Sequence, residues 1–227
     1  MSISNNIRYF DEKLKATDCR LVAVSKTHPV ENIKEAYEAG QRLFGENKVQ
    51  ELMEKYEHLP HDINWHLIGH LQTNKVKYIA PFVDTIQSVD SLKLLKEINK
   101  RSEQLNRTSP INCMLQISIA DEDTKFGMSY DEAVALLQSE EYRNMNYIRI
   151  TGVMGIATNT EDINKLRKEF RYLRECFEQL KETFFFANPD FQEISMGMTS
   201  DWELAIEEGS TMIRVGSGIF GARDYSK

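Results

Sequence analysis

Lys26 closes the run Leu21-Val-Ala-Val-Ser-Lys, an apolar stretch in which a lysine is out of type. Side chains alternate along a strand, so Val22, Val24 and Lys26 share one face and Leu21, Ala23 and Ser25 the other. If the valine face is the inside of a closed sheet, the Lys26 ammonium loses solvent and its pKa falls from the ordinary value of about 10.4. A neutral amine so placed attacks an aldehyde or ketone, which is Schiff-base chemistry. A lysine at a strand end that snorkels into water does nothing of the kind. Two further stretches bear on the choice. Ser195-Met-Gly-Met-Thr-Ser-Asp brings Thr199, Ser200 and Asp201 to a helix start, where backbone N–H groups and hydroxyls either cap the helix or receive an anion. Arg214-Val-Gly-Ser-Gly offers glycines that let the backbone approach a ligand, with Ser217 as a further donor. A nucleophilic lysine beside two anion-friendly loops suits a phosphorylated carbonyl compound.

The elements that must position these residues follow from periodicity. Ile3, Ile7, Phe10 and Leu14 recur at spacings of four, three and four, which predicts an extra N-terminal helix. Strands are expected at 21–26, 42–46, 65–69, 85–89, 111–119, 148–156, 193–198 and 212–215. Helical patterns follow each strand in turn, at 31–39, 48–58, 73–79, 91–105, from 129 onward, at 161–184 and at 201–208. In the 161–184 helix, Ile163, Leu166, Phe170, Leu173, Phe177, Leu180 and Phe184 form a stripe that covers the sheet. Eight strands alternating with helices, without linker or low-complexity tract, predict a (β/α)8 TIM barrel, one domain over 1–227. The active site of such a barrel lies at the C-terminal ends of the strands, with phosphate commonly held after strands seven and eight. Lys26 ends strand one, which adjoins strand eight when the barrel closes.

Composition narrows the class of function. With 28 basic and 35 acidic residues in 227, the net charge of −7 opposes binding to nucleic acid or to an anionic membrane. No eighteen apolar residues run together and the polar N-terminus lacks a signal-peptide core, so a cytoplasmic protein is expected. Cys19, Cys113 and Cys176 are odd in number and far apart, consistent with reduced thiols. His58, His61, His66 and His70 crowd into thirteen residues, but their spacing is poor for zinc, and no metal is expected. His28 is read as a loop histidine near the site mouth, and Glu46, with no second carboxylate at a defined spacing, as weak evidence for an acid or base.

Five ordered motifs then carry a resemblance that covers essentially the whole chain. They are Ala23-Val-Ser-Lys-Thr, Phe44-Gly-Glu-Asn-Lys-Val-Gln-Glu, Trp65-His-Leu-Ile-Gly-His-Leu-Gln-Thr-Asn-Lys, Ser195-Met-Gly-Met and Arg214-Val-Gly-Ser-Gly-Ile-Phe-Gly-Ala-Arg. The sequence resembles the pyridoxal 5′-phosphate homeostasis protein family, single-domain relatives of the barrel of alanine racemase. The resemblance implies that Lys26 holds pyridoxal 5′-phosphate (PLP) as a Schiff base. It also implies that Thr199, Gly216 and Ser217 cradle the phosphate, and that Arg214 faces the pyridine nitrogen. Asn47, Ser195, Met196 and Met198 look like pocket walls. Thr199 stands where the family usually has Ser, and Ser217 where Thr is frequent; both keep the hydroxyl. Lys75 and Lys125 lie in family-like segments and either guide the anion or are simply solvated, so neither is counted in the site.

A charged arginine at the ring nitrogen disfavours the pyridinium that serves as an electron sink. Alanine racemase also borrows a tyrosine from a second domain, as the family comparison implies, and the sequence ends at Lys227, where no such domain is expected. Racemisation needs a proton donor or acceptor on each substrate face, and Lys26 serves one. The expectation is a monomeric PLP carrier, not an enzyme, that delivers PLP to apo PLP-dependent enzymes. The alternatives are a PLP enzyme of weak racemase or lyase activity, and a cofactor-free barrel that uses Lys26 on a phosphorylated carbonyl substrate.

Overall fold

The computed structural model describes residues 2–120 and 126–222. Its eight parallel strands are β1 (Arg20–Val24), β2 (Leu43–Glu46), β3 (Asn64–Leu67), β4 (Thr85–Val89), β5 (Ile111–Gln116), β6 (Ile148–Met154), β7 (Glu193–Ser195) and β8 (Met212–Val215). They form a closed barrel in sequence order, and β1 pairs with both β2 and β8. The expected (β/α)8 TIM barrel is therefore the fold.

Around it lie α1 (Ile3–Leu14), α2 (Val30–Glu38), α3 (Val49–His58), a 3-10 turn (Thr73–Lys75) running into α4 (Val76–Ile79), and α5 (Leu92–Gln104). They continue as α6 (Tyr130–Gln138), α7 (Glu140–Arg143), α8 (Ile163–Phe184), α9 (Trp202–Glu207) and α10 (Ser217–Phe220). The extra N-terminal helix is present as α1, capped by the Ser2 hydroxyl and burying Ile7, Phe10 and Leu14.

Alternation divides the strand residues as expected. Leu21 and Ala23 join the large apolar cluster shared by sheet and helices, whereas Val22 and Val24, equally buried, lie outside it on the barrel-interior face. Gly45 on β2 shows how full that interior is. A Cβ there would come within 2.9 Å of Val22 Cγ1 and 3.1 Å of Ile68 Cδ1. Polar residues share this interior: Arg214 pairs in register with Val22 and His66 with Gly45, and Gln87 and Ser195 are buried with them.

Several boundaries differ from the sequence reading for physical reasons. Ile163, expected on the inner stripe of α8, is exposed because the helix begins at that residue, and Leu166 is its first buried position. The seventh strand was expected through Met198 but ends at Ser195. Gly197 takes φ +91°, and the Met198 N–H is accepted by the Asp201 carboxylate at 2.5 Å instead of by a neighbouring strand. The four-residue α10 was not foreseen.

Candidate functional site

β1 ends at Val24, and Ser25 adds one more ladder bond by donating its N–H to Gly45 at 3.1 Å. Lys26 then sits half-buried in a tight turn, with Thr27 at φ 67°. A β-branched residue in that left-handed region is strained, so the turn must be held by its surroundings. Lys55 of α3 and the carboxylates around it do this. The Lys55 ammonium spends its three donors on Ser25 O (2.7 Å), Glu46 Oε1 (2.6 Å) and Glu51 Oε1 (2.8 Å). The Ser25 hydroxyl also donates to Glu46 Oε1 at 2.6 Å, and the Thr27 N–H is accepted by Glu51. Burial pushes the Glu46 carboxyl up to about 7, against the pull of the Lys55 ammonium.

Register brings the other site segments to the same end of the barrel. Ala23 pairs with Val215, and Val24 with Gly45. Lys26 thus emerges beside the start of α10 on one flank and Asn47 on the other. A Cβ placed on Gly216 would stand 3.4 Å from Val24 O, which shows how close the two strand ends lie. His28, just past the turn, stacks on Phe220 of α10 with ring centroids 5.1 Å apart. On the far side of β8, the Ser217 hydroxyl and the Gly218 N–H each donate to Thr199 Oγ1 at 3.4 Å.

These residues fit the phosphate of the implied cofactor. Hydroxyls from two adjacent loops meet, and Gly218 leaves room for that meeting, since a Cβ on it would lie 2.9 Å from Val215 Cγ1 and 3.1 Å from Thr199 Cγ2. α1 braces this corner. The Asn6 side-chain amide donates to Ile219 O at 2.8 Å, and Phe10 meets Trp202 edge-on with centroids 5.6 Å apart.

Arg214 points from β8 into the barrel, 4% exposed. Its Nη1 donates to Ser195 Oγ at 2.6 Å and its Nη2 to Gly155 O at 2.8 Å. Burial brings the guanidinium down to about 10, partly offset by Asp201, so it is charged at neutral pH. Asp201 is shifted upward by its own burial, while the Met198 N–H and Arg214 pull the other way.

Lys26, Asn47, Ser195, Thr199, Arg214, Gly216 and Ser217 therefore all lie at the C-terminal edge or just beneath it, and half-buried Met198 lies in the loop that leads to Thr199. Met196 stands apart. It alternates with Ser195, and its side chain is wholly buried in the apolar cluster shared with the helices.

The histidines take four separate settings. His58 bonds Glu54 O at 2.8 Å, His61 packs on Tyr56, His66 faces Gln87 and Asp84, and His70 lies 3.2 Å from Asp90. Lys75 ends the 3-10 turn, and Lys125 lies outside the described residues. Sequence reasoning missed Lys55, Glu51 and Gln87. Lys55 had a readable signal, because it falls on the buried side of α3 with Val49 and Leu52.

The family model for the alanine racemase N-terminal domain matches residues 1–224. A pyridoxal phosphate homeostasis protein of Pasteurella multocida is 40% identical, over 99% of this chain and 96% of its own length. One from Haemophilus influenzae is 38% identical, over 100% and 98% respectively. Among solved structures, PipY of Synechococcus elongatus with PLP bound superposes with a TM-score of 0.87 at 34% identity, covering 96% of this chain and 100% of that one. Full-length similarity of this degree, on a barrel whose rim gathers a lysine, two hydroxyl loops and a buried arginine, places the chain in the alanine racemase N-terminal domain family, among the pyridoxal phosphate homeostasis proteins.

Proposed function

We propose that the chain binds PLP and serves in PLP homeostasis, holding the cofactor on Lys26 and delivering it, with residues 1–227 acting as one unit in the cytoplasm. One observation carries this reading. The Lys26 turn and the Thr199 and Gly216–Gly218 loops are brought to one corner of the rim by the β7, β8 and β1 neighbourhood, with Arg214 buried beneath. When bound, PLP supplies an aldehyde that forms a reversible covalent bond with an amine. Lys26 contributes the amine, on a turn fixed by Lys55, Glu46 and Glu51. Thr199, Gly216 and Ser217 hold the phosphate, Arg214 faces the ring nitrogen, and Asn47, Ser195 and Met198 wall the pocket. Met196 contributes by packing.

The chemistry of these groups favours a carrier over an enzyme. A permanently charged donor at the ring nitrogen disfavours its protonation, which PLP enzymes use to stabilise carbanions. The groups assigned here to the phosphate, the ring and the walls are hydroxyls, an amide, a thioether and an arginine, none of which exchanges protons readily near neutrality. Of the two nearby groups that do, Glu46 is engaged by Lys55 and Ser25 beneath the turn and His28 stacks on Phe220. Among the described residues no helix is long and apolar enough to cross a membrane. The test is transfer. Protein loaded with PLP, mixed with an apo PLP-dependent enzyme, should restore that enzyme's activity while showing no sustained turnover of amino acids alone. Steady racemisation by the pure protein, lost in Lys26→Ala, would replace the carrier with an enzyme.

A further inference from the structure

The barrel interior holds a chain of hydrogen bonds that runs from beneath the rim to the opposite end. Arg214 Nη1 lies 2.6 Å from Ser195 Oγ, and Ser195 Oγ lies 2.7 Å from Gln87 Oε1. Gln87 Nε2 lies 2.8 Å from His66 Nδ1, and His66 Nε2 lies 3.5 Å from Asp84 Oδ2. Four of these five residues are at most 4% exposed, and they come from β8, β7, β4 and β3.

The chemistry of the groups fixes the direction of every bond. The Asp84 carboxylate only accepts, so the ring proton of neutral His66 sits on Nε2 and Nδ1 accepts from the Gln87 amide nitrogen. The Gln87 Oε1 that remains accepts from the Ser195 hydroxyl, whose oxygen accepts in turn from the guanidinium. The surroundings agree with this neutral tautomer. Burial disfavours the His66 imidazolium. Asp84 is itself penalised by burial, but the His66 and Thr85 donors outweigh this and hold its carboxyl at about 2.

We propose that Gln87, oriented by His66, is a positioning residue of the cofactor site: it turns the Ser195 hydroxyl so that its lone pairs face Arg214, and so sets the guanidinium against the PLP ring. This rests on the PLP reading above. Arg214 has a second anchor in Gly155 O, and two anchors fix the plane of a guanidinium where one leaves it free to swing. Gln87→Met keeps the side-chain volume while removing both the acceptor for Ser195 and the donor for His66.

The experiment is a double-mutant cycle of Gln87→Met and Ser195→Ala, read by PLP dissociation constant and by the visible band of the bound cofactor. Gln87→Met is expected to weaken PLP binding by about tenfold, the worth of one hydrogen bond to a charged group, and to shift the band. In the Ser195→Ala background the same change should do little. An unshifted band with unchanged affinity in folded Gln87→Met, or an undiminished effect without Ser195, would overturn the proposal. Absence of PLP uptake by the wild-type protein would instead remove the cofactor reading itself.

Wild-type protein without cofactor supplies a separate measure. The ¹⁵N shifts of His66 should show a neutral ring protonated at Nε2. In Gln87→Glu, where the ring lies between two carboxylates with Arg20 and Glu193 nearby, both nitrogens should carry protons. A ring protonated at Nδ1 in the wild type would contradict the bond directions on which the proposal stands.

Discussion

At the scale of single residues, the buried Glu46 carboxyl makes a prediction whose sign follows from its shift. Its ordinary value is 4.5 and burial raises it to about 7 in the folded chain. The folded state therefore takes up the proton more readily than the unfolded one. Wild-type stability relative to Glu46→Gln should be greatest below pH 4.5, decline as pH rises toward about 7 and level off beyond. Urea midpoints of the two proteins, compared from pH 4 to pH 8, read this directly, and a constant difference would contradict it. Lys26 was legible as a candidate from the sequence, because a lysine ending an apolar run is out of type for packing, whereas Arg214 was singled out only through the family resemblance. Gln87 was not. Thr85-Ile-Gln-Ser-Val reads as an ordinary strand, and its interior face becomes known only once the barrel is closed and the β4–β5 register shift between Ile86 and Val89 is placed.

At the scale of elements, the turn that carries Lys26 depends on α3. Lys55→Met removes the cation that ties Ser25 O, Glu46 and Glu51 together. Glu46, already held at about 7, then takes up a proton, so the expected cost is that of the buried acceptors left unpaired, about 1–3 kcal/mol each by chemical denaturation, and PLP affinity should fall with it as the turn loosens. A variant of native stability would mean that the turn is held by other contacts. β6 and β7 meet at Gly152 and Glu193, and a Cβ on Gly152 would lie 1.8 Å from Glu193 O. Gly152→Ala must push the strands apart and should cost about 3 kcal/mol or more, checked by the same denaturation measurement. The order of strands and helices was legible from periodicity alone, whereas α10 was hidden, because four residues beginning Ser-Gly carry no period. The end of β7 was hidden for a different reason: Gly197 and Asp201 redirect the backbone through a contact that is visible only in three dimensions.

At the scale of the whole molecule, closure makes the first and last strands neighbours, so residues nearly two hundred positions apart build one corner, and α1 braces it through Asn6 and Phe10. A ligand that bridges β1, β7 and β8 should stabilise the entire barrel by mass action, about 2.7 kcal/mol at a hundredfold excess over its dissociation constant. PLP should accordingly raise the melting temperature of the wild type, and Lys26→Ala should show a much smaller rise at the same concentration. Equal rises in the two proteins would place the cofactor's anchor elsewhere. The most direct test of the central claim is borohydride reduction of the PLP-loaded protein, followed by mass spectrometry of its peptides. The account predicts a stable adduct on the peptide that contains Lys26, and none in Lys26→Ala. An adduct on another lysine, or no adduct from a protein saturated with PLP, would contradict it.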